Sequence, residues 1–151
     1  MGDLAMIKIN LVCVGTLKEN YWKEALDEYK KRLSRYVSFS VIELKEKRTK
    51  EEEGKEILAR SKGYIVAFDL GGKELSSEEI AAFIDKKATE GTSEMTFLIG
   101  GSEGLSDEVK KAVDFRLSFG KVTYPHQLMR VIAAEQLYRA MTILNGVTYH
   151  K

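Results

Sequence analysis

Apolar residues along this chain switch between two rhythms, and each switch marks a change of element. From Ile7 to Val14 they alternate and then cluster, rich in β-branched side chains, which predicts a buried strand. Trp22, Ala25, Leu26, Tyr29, Leu33 and Tyr36 then recur at helical spacing, so a helix with one apolar face follows, its aromatics in the core. Thr16, three residues before Glu19, has the spacing of a capping box ahead of that helix. Val37 to Leu44 reads as a second strand. Lys45 to Lys62 is highly charged, with Thr49 and Glu52 again at capping-box spacing, and fits a solvated helix or a mobile loop.

Gly63 to Leu70 predicts a third strand, after which Gly71-Gly72-Lys73 turns the chain. Ser76 and Glu79 open the next helix, with Ile80, Ala81, Phe83 and Ile84 on its inner side. Met95 to Ile99 is nearly all apolar, as a central parallel strand should be. Ser106-Asp107-Glu108 caps a short helix whose first-turn acids suit the helix dipole. Phe115 to Phe119 reads as a fifth strand. From Pro125 one long helix runs to Asn145-Gly146, with the proline in its first turn.

Strands that alternate with helices predict an α/β fold: a mainly parallel sheet with helices on both faces. Such sheets bind ligands beyond the carboxyl ends of their strands. The segments to inspect are therefore Phe68 to Gly72, Gly100 to Gly104 and Phe119 to Tyr124. Apolar residues spread around most of the last helix, from Leu128 to Leu144, so it should be covered on two sides. One cover is its own sheet, and the other is expected to be a second copy in a homodimer.

Length and composition fit a single globular domain: 151 residues, 44% hydrophobic and 31% charged. Residues 1–5 precede a second methionine, Met6, and read as an N-terminal extension, leaving 6–151 as the domain. No membrane span or signal peptide is apparent, and the single cysteine, Cys13, reads as a buried core thiol, so a cytoplasmic protein is expected. Two histidines and one cysteine, far apart in sequence, have no metal-site spacing, so no metal is expected. A net charge of +1 argues against a broad electrostatic grip on nucleic acid. Any RNA binding must come from local patches or a shaped target. Lys30-Lys31-Arg32 with Arg35 is the best candidate patch, though a solvated helix face explains it equally well.

The first strand ends in Val14-Gly15-Thr16-Leu17-Lys18, without the glycine pattern of a dinucleotide site. Neither a P-loop nor a G-x-S-x-G nucleophile elbow occurs. What remains is a glycine turn, Gly100-Gly101-Ser102-Glu103-Gly104, and the chain's only proline, Pro125, followed at once by His126. His150, the other histidine, is the penultimate residue.

The order Phe97-Leu98-Ile99-Gly100-Gly101 with Glu103-Gly104-Leu105-Ser106, then Leu117-Ser118, Thr123, Pro125-His126, Arg130 and Glu135 to Ala140, ending Tyr149-His150-Lys151, resembles the RlmH family of SPOUT methyltransferases. The resemblance covers Met6 to Lys151. It implies methylation of N3 of a pseudouridine in a hairpin loop of 23S rRNA, with S-adenosylmethionine as cofactor. It also implies a C-terminal trefoil knot around that cofactor, which periodicity alone does not suggest. The cofactor is then expected against Phe68, Leu70, Gly100, Gly101, Phe119, Gly120, Lys121, Val122, Thr123, Tyr124 and Pro125. His126 and His150 are the candidate bases, because a histidine titrates near neutral pH. Tyr149 is expected to position the base, and Arg130 or Lys151 to grip phosphate. Glu135 and Arg139, four apart, read as a structural pair. The low net charge favours large-subunit rRNA within the assembled ribosome as substrate. The alternatives at this point are a non-catalytic RNA- or ribosome-binding module on the same fold, and a nucleotide-binding enzyme of another class.

Overall fold

Alternation of side chains between two covered faces in the first strand sets the layout. β1 (Lys8–Val14) sends Ile9, Leu11 and Cys13 to one face of the sheet and Val12 and Val14 to the other. β4 (Glu94–Ile99) does the same, with Met95, Phe97 and Ile99 opposite Leu98. Both strands are buried on both faces, so both need helices on both sides.

In the computed structural model, which describes residues 6–149, those helices are present. The remaining elements are α1 (Asn20–Leu33), β2 (Ser38–Leu44), α2 (Lys50–Arg60), β3 (Tyr64–Glu74), α3 (Ser77–Thr89), α4 (Asp107–Ala112), β5 (Phe115–Ser118) and α5 (His126–Leu144). The sheet order is β2-β1-β4-β3-β5 and every pairing is parallel. α1, α3 and α5 cover one face through Leu33, Ile80, Ile84, Leu137 and Met141. α2 and α4 cover the other through Ile57 and Val109. Each such side chain contributes about 1.5–3 kcal/mol when fully buried. The expected N-terminal extension, residues 1–5, lies outside the described residues, as do His150 and Lys151.

Local signals hold where they act locally. The Ser76 hydroxyl accepts from the Glu79 amide at 3.1 Å, and the Glu79 carboxylate accepts from the Ser76 amide at 2.8 Å, a complete capping box. Thr49 likewise accepts from the Glu52 amide, and the charged segment forms α2. Thr16 and Glu19 do not behave this way: Glu19 is the α1 N-cap without a side-chain cap bond. Tertiary bonds hold this segment instead. The Leu17 amide donates to Glu43 and the Lys18 amide to Gln127, while the Leu17 side chain is buried.

Gly71-Gly72 does not end β3. The strand continues to Glu74, and both Phe68 and Lys73 register with Leu117 of β5. The residues between them bulge out of the ladder, which turns Phe68, Asp69 and Leu70 toward the carboxyl end of the sheet. A Cβ on Gly72 would lie 2.6 Å from the Arg116 carbonyl, so this close approach requires glycine.

α5 packs between α1 and α3, which together with the sheet cover most of its apolar surface. Leu128 and Ile132 stay half-exposed. Pro125 sits at its N-cap, one position before the expected first turn, and Gly146 ends it with φ +66°.

Cys13 is fully buried, and desolvation, opposed in part by nearby Arg130, pushes its thiol up to about 12. The folded chain therefore keeps this proton while the unfolded chain, with an ordinary thiol near 9, loses it. Stability should fall as pH rises from 9 toward 12. In chemical denaturation at pH 8 and 10.5, Cys13→Ala should remove on the order of 1–2 kcal/mol of the wild type's alkaline loss.

Candidate active site

The carboxyl ends of β3, β4 and β5 and the first turn of α5 enclose a cavity of about 490 Å³. Its walls are backbone loops that fold closely on themselves. After β4, Gly101 and Gly104 form an antiparallel bridge, and the Gly104 amide donates to the Gly101 carbonyl at 3.0 Å. A Cβ on Gly100 would lie 2.5 Å from the Gly104 carbonyl carbon. Gly100 is thus required by the loop's own return, before any ligand is considered. After β5, the Ser118 hydroxyl donates to the Gly120 carbonyl and accepts from the Gly120 amide, closing a turn in which Gly120 has φ +106°. That turn presents Phe119 to Phe68, ring centroids 4.9 Å apart, and Phe68 in turn stacks on core Phe97 at 5.8 Å.

Phe68, Leu70, Gly100, Gly101, Phe119, Gly120, Val122, Thr123, Tyr124 and Pro125 all line this cavity, as does His126; Lys121 does not. The fold also brings in residues with no signal in the sequence: Lys50 from the start of α2, Lys110 from α4 and Met129 from α5. Asp69 lies in the bulged part of β3. Its carboxylate lines the wall, paired with Arg116 at 3.0 Å and Lys110 at 3.9 Å. Leu70 and Val122, 54% and 65% exposed, form an apolar rim.

Arg130 was expected to grip phosphate, but it is fully buried and no phosphate can reach it in this arrangement. Its guanidinium donates to Glu43 at 2.7 Å and to the Val14 and Gly15 carbonyls, each at 2.7 Å; among the described residues its Nε has no partner. Gln127, three residues earlier, accepts from the Lys18 amide. Residues 127 and 130 thus fasten one face of the first α5 turns to the end of β1, while His126 and Met129 present another face to the cavity. Arg130 holds the wall in place and is not among the residues that line the cavity.

Tyr149 also lies away from the cavity in a single chain. Its hydroxyl donates to Glu135 at 2.9 Å and lies 3.3 Å from the Tyr29 hydroxyl, and its ring packs edge-on against Tyr138. Burial first, then these two hydrogen-bond partners, raise its pKa above the ordinary tyrosine range, so the phenol acts as a donor. Glu135 also pairs with Arg139 at 2.7 Å, consistent with the structural reading of that pair. His150 and Lys151 lie outside the described residues, so the other expected base and phosphate contact are not placed. No group of three or more metal-ligating side chains occurs among the described residues, and no helix there is long and apolar enough to cross a membrane.

An all-parallel α/β sheet with a glycine-looped cavity at its carboxyl ends has its hollow at the edge where sheets of this class hold small ligands. The family profile described as a predicted SPOUT methyltransferase matches residues 7–150, and the chain belongs to this family. It is 48% identical to the "Ribosomal RNA large subunit methyltransferase H" of Carboxydothermus hydrogenoformans, over 96% of this chain and 100% of that one. It is 45% identical to the protein of the same name from Caldicellulosiruptor saccharolyticus, over 95% of this chain and 99% of that one. Among solved structures the fold is similar to a probable methylase family protein from Haemophilus influenzae, with a TM-score of 0.58, 11% identity, and 96% and 71% of the two chains covered. It is also similar to the SpoU methyltransferase AviRb from Streptomyces viridochromogenes, a complex with AdoMet, with a TM-score of 0.51, 11% identity, and 95% and 60% covered.

Removing the Arg130 guanidinium leaves two buried carbonyls without that donor and the Glu43 carboxylate without its counter-charge. Arg130→Met should cost about 2–4 kcal/mol in urea denaturation. Arg130→Lys should recover only part of this, since one ammonium cannot reproduce the planar fork that serves all three acceptors.

Proposed function

We propose that the protein transfers a methyl group from S-adenosylmethionine to N3 of a pseudouridine in large-subunit rRNA. The observation that carries this reading is the cavity itself: two self-folded glycine loops and an aromatic wall, with His126 at its edge. The relatives' names supply the substrate class.

The cavity's chemistry fits the cofactor. Its volume lies within the range of small-ligand sites, about 300–1,000 Å³. Phe68, Ile99, Leu117 and Met129 provide apolar surface, and the backbone of Gly100–Gly101 and of residues 119–124 offers amides and carbonyls to a purine edge. The carboxylates of Asp69 and Glu103 suit a cation. When bound, S-adenosylmethionine supplies a methyl group already activated on a cationic sulfur, so the protein contributes orientation and electrostatics. The N3–H of the base must lose its proton as the N–C bond forms. His126, half-buried at the head of α5, can accept that proton or donate to a neighbouring carbonyl of the base. His150 is the second candidate base, and Lys151 the candidate phosphate contact.

The trefoil knot, the homodimer and the cytoplasmic setting belong to the same reading. Half-exposed Leu128 and Ile132 favour the dimer: a second copy seated there would place the interface beside the cavity's rim. The assembled ribosome is the expected substrate, because a chain of net charge +1 needs a structured target.

Titration calorimetry of the protein with S-adenosylmethionine tests the proposal. Saturable binding is expected, and Gly100→Val should abolish it by forcing residues 100–105 out of their return. Absence of binding to folded wild-type protein would overturn the enzyme reading in favour of a ribosome-binding module. His150→Ala should leave cofactor affinity nearly unchanged while lowering methylation of ribosomes by about 10²–10⁴-fold. Comparable rates in mutant and wild type would remove His150 from the mechanism.

A further inference from the structure

We infer that the last turn of α1 and the adjoining face of α5 form a docking surface for the phosphate backbone of rRNA, apart from the cofactor cavity and centred on Lys31 and Arg35. The inference rests on the rRNA-methyltransferase reading above. Glu28 lies three and four residues before Lys31 and Arg32, so these three share one face of α1, and Arg35 follows just beyond the helix end. The Arg32 charge is already engaged. Its Nε donates to Glu28 at 2.8 Å, and its guanidinium lies 5.4 Å from the Tyr29 ring centre and 5.7 Å from that of Tyr138.

Lys31 and Arg35 are different. Both are exposed, and among the described residues neither has an acidic partner within ion-pairing distance. With Glu28, Arg32 and Tyr138 they line a depression of about 280 Å³. The basic end of α3 provides a contrast, because Lys87 there pairs with Glu90 at 3.4 Å. Favourable interaction with the helix dipole explains a cation in the last turn of α1, but not Arg35, which lies beyond the helix end. Two free cations flanking an aromatic-floored depression suit a phosphodiester with a sugar or base beside it.

The placement adds a constraint on the target. Tyr138 lies twelve positions beyond His126 on α5, about 18 Å along the helix axis. A single nucleotide cannot engage both points, whereas a folded RNA can. On a chain of net charge +1, an attraction for a polyanion has to be local, and this surface supplies it.

The test compares the wild type, Lys31→Glu/Arg35→Glu, and a control of equal charge change on other elements, Lys62→Glu/Lys86→Glu. Binding to purified bacterial ribosomes is measured across a range of salt concentrations, together with methylation kinetics and S-adenosylmethionine affinity. The patch variant should raise KM for ribosomes on the order of tenfold, with kcat and cofactor affinity near wild type. It should also reduce the slope of log affinity against log salt by about 1–2, the signature of lost phosphate contacts. The control should change neither. Wild-type affinity and slope in the patch variant, or equal losses in the control, would overturn the surface while leaving the enzyme reading intact. Weaker binding with an unchanged salt slope would overturn the phosphate assignment in favour of a ribosomal protein contact. Failure of the wild type itself to bind cofactor would instead strike the reading beneath it.

Discussion

One buried guanidinium holds the cavity edge of this sheet together. Arg130 lies on α5, yet its three bonds end on β1, the residue after it and β2: the Val14 and Gly15 carbonyls and the Glu43 carboxylate. Burying a full positive charge is costly unless its surroundings answer it. Here one carboxylate and two carbonyls do so, and no neutral side chain carries both the charge and the donors to serve all three. The strand end, the loop after it and the head of the helix therefore take one arrangement relative to one another. His126 and Met129 inherit their positions from that arrangement, since they share the same first turns of α5.

The cavity is a consequence of backbone returning on backbone. At Gly72 the β3 bulge passes within contact of Arg116, and at Gly100 the following loop passes within contact of Gly104. A side chain at either point would push the strands or the loop apart and change the cavity's shape. The glycines thus act a step earlier than a simple clearance argument suggests. They allow the loops to fold tightly, and the tight loops leave room for a ligand. Phe68 and Phe119, pressed together across that room, join its wall directly to the core through Phe97. Movement of the wall must disturb the core, which favours a preformed site over one that assembles around its ligand.

The parts of the molecule legible in its sequence are those decided by near neighbours. Apolar density marks β1 and β4, and Ser76 with Glu79 marks the start of α3, because each pattern acts within a few residues. The misreadings all involve a distant partner. Gly71-Gly72 looks like a turn until β5 is laid beside it. Thr16 and Glu19 have the spacing of a cap, but Glu43 and Gln127 hold the segment first. Arg130, eighty-seven positions from Glu43, looks like a surface cation because nothing nearby in sequence reveals its burial. The cavity followed from strand ends and glycines, whereas Lys50 and Lys110 arrive there only through the packing of α2 and α4.

The two regions richest in aromatic and charged side chains sit toward opposite ends of α5. At the cavity end the charges are partly answered: Asp69 is tied to Arg116 and lies near Lys110. At the other end Tyr29, Tyr138 and Tyr149 form a packed cluster around Glu135, with Arg32 and Arg139 against their rings. A phenol held as a donor and guanidiniums held against aromatic faces are rigid, directional groups, unlike a row of mobile lysines on a helix. Such a surface is suited to recognition by shape more than by total charge. That is the property a protein of nearly balanced charge needs if it is to select one folded segment of a very large polyanion.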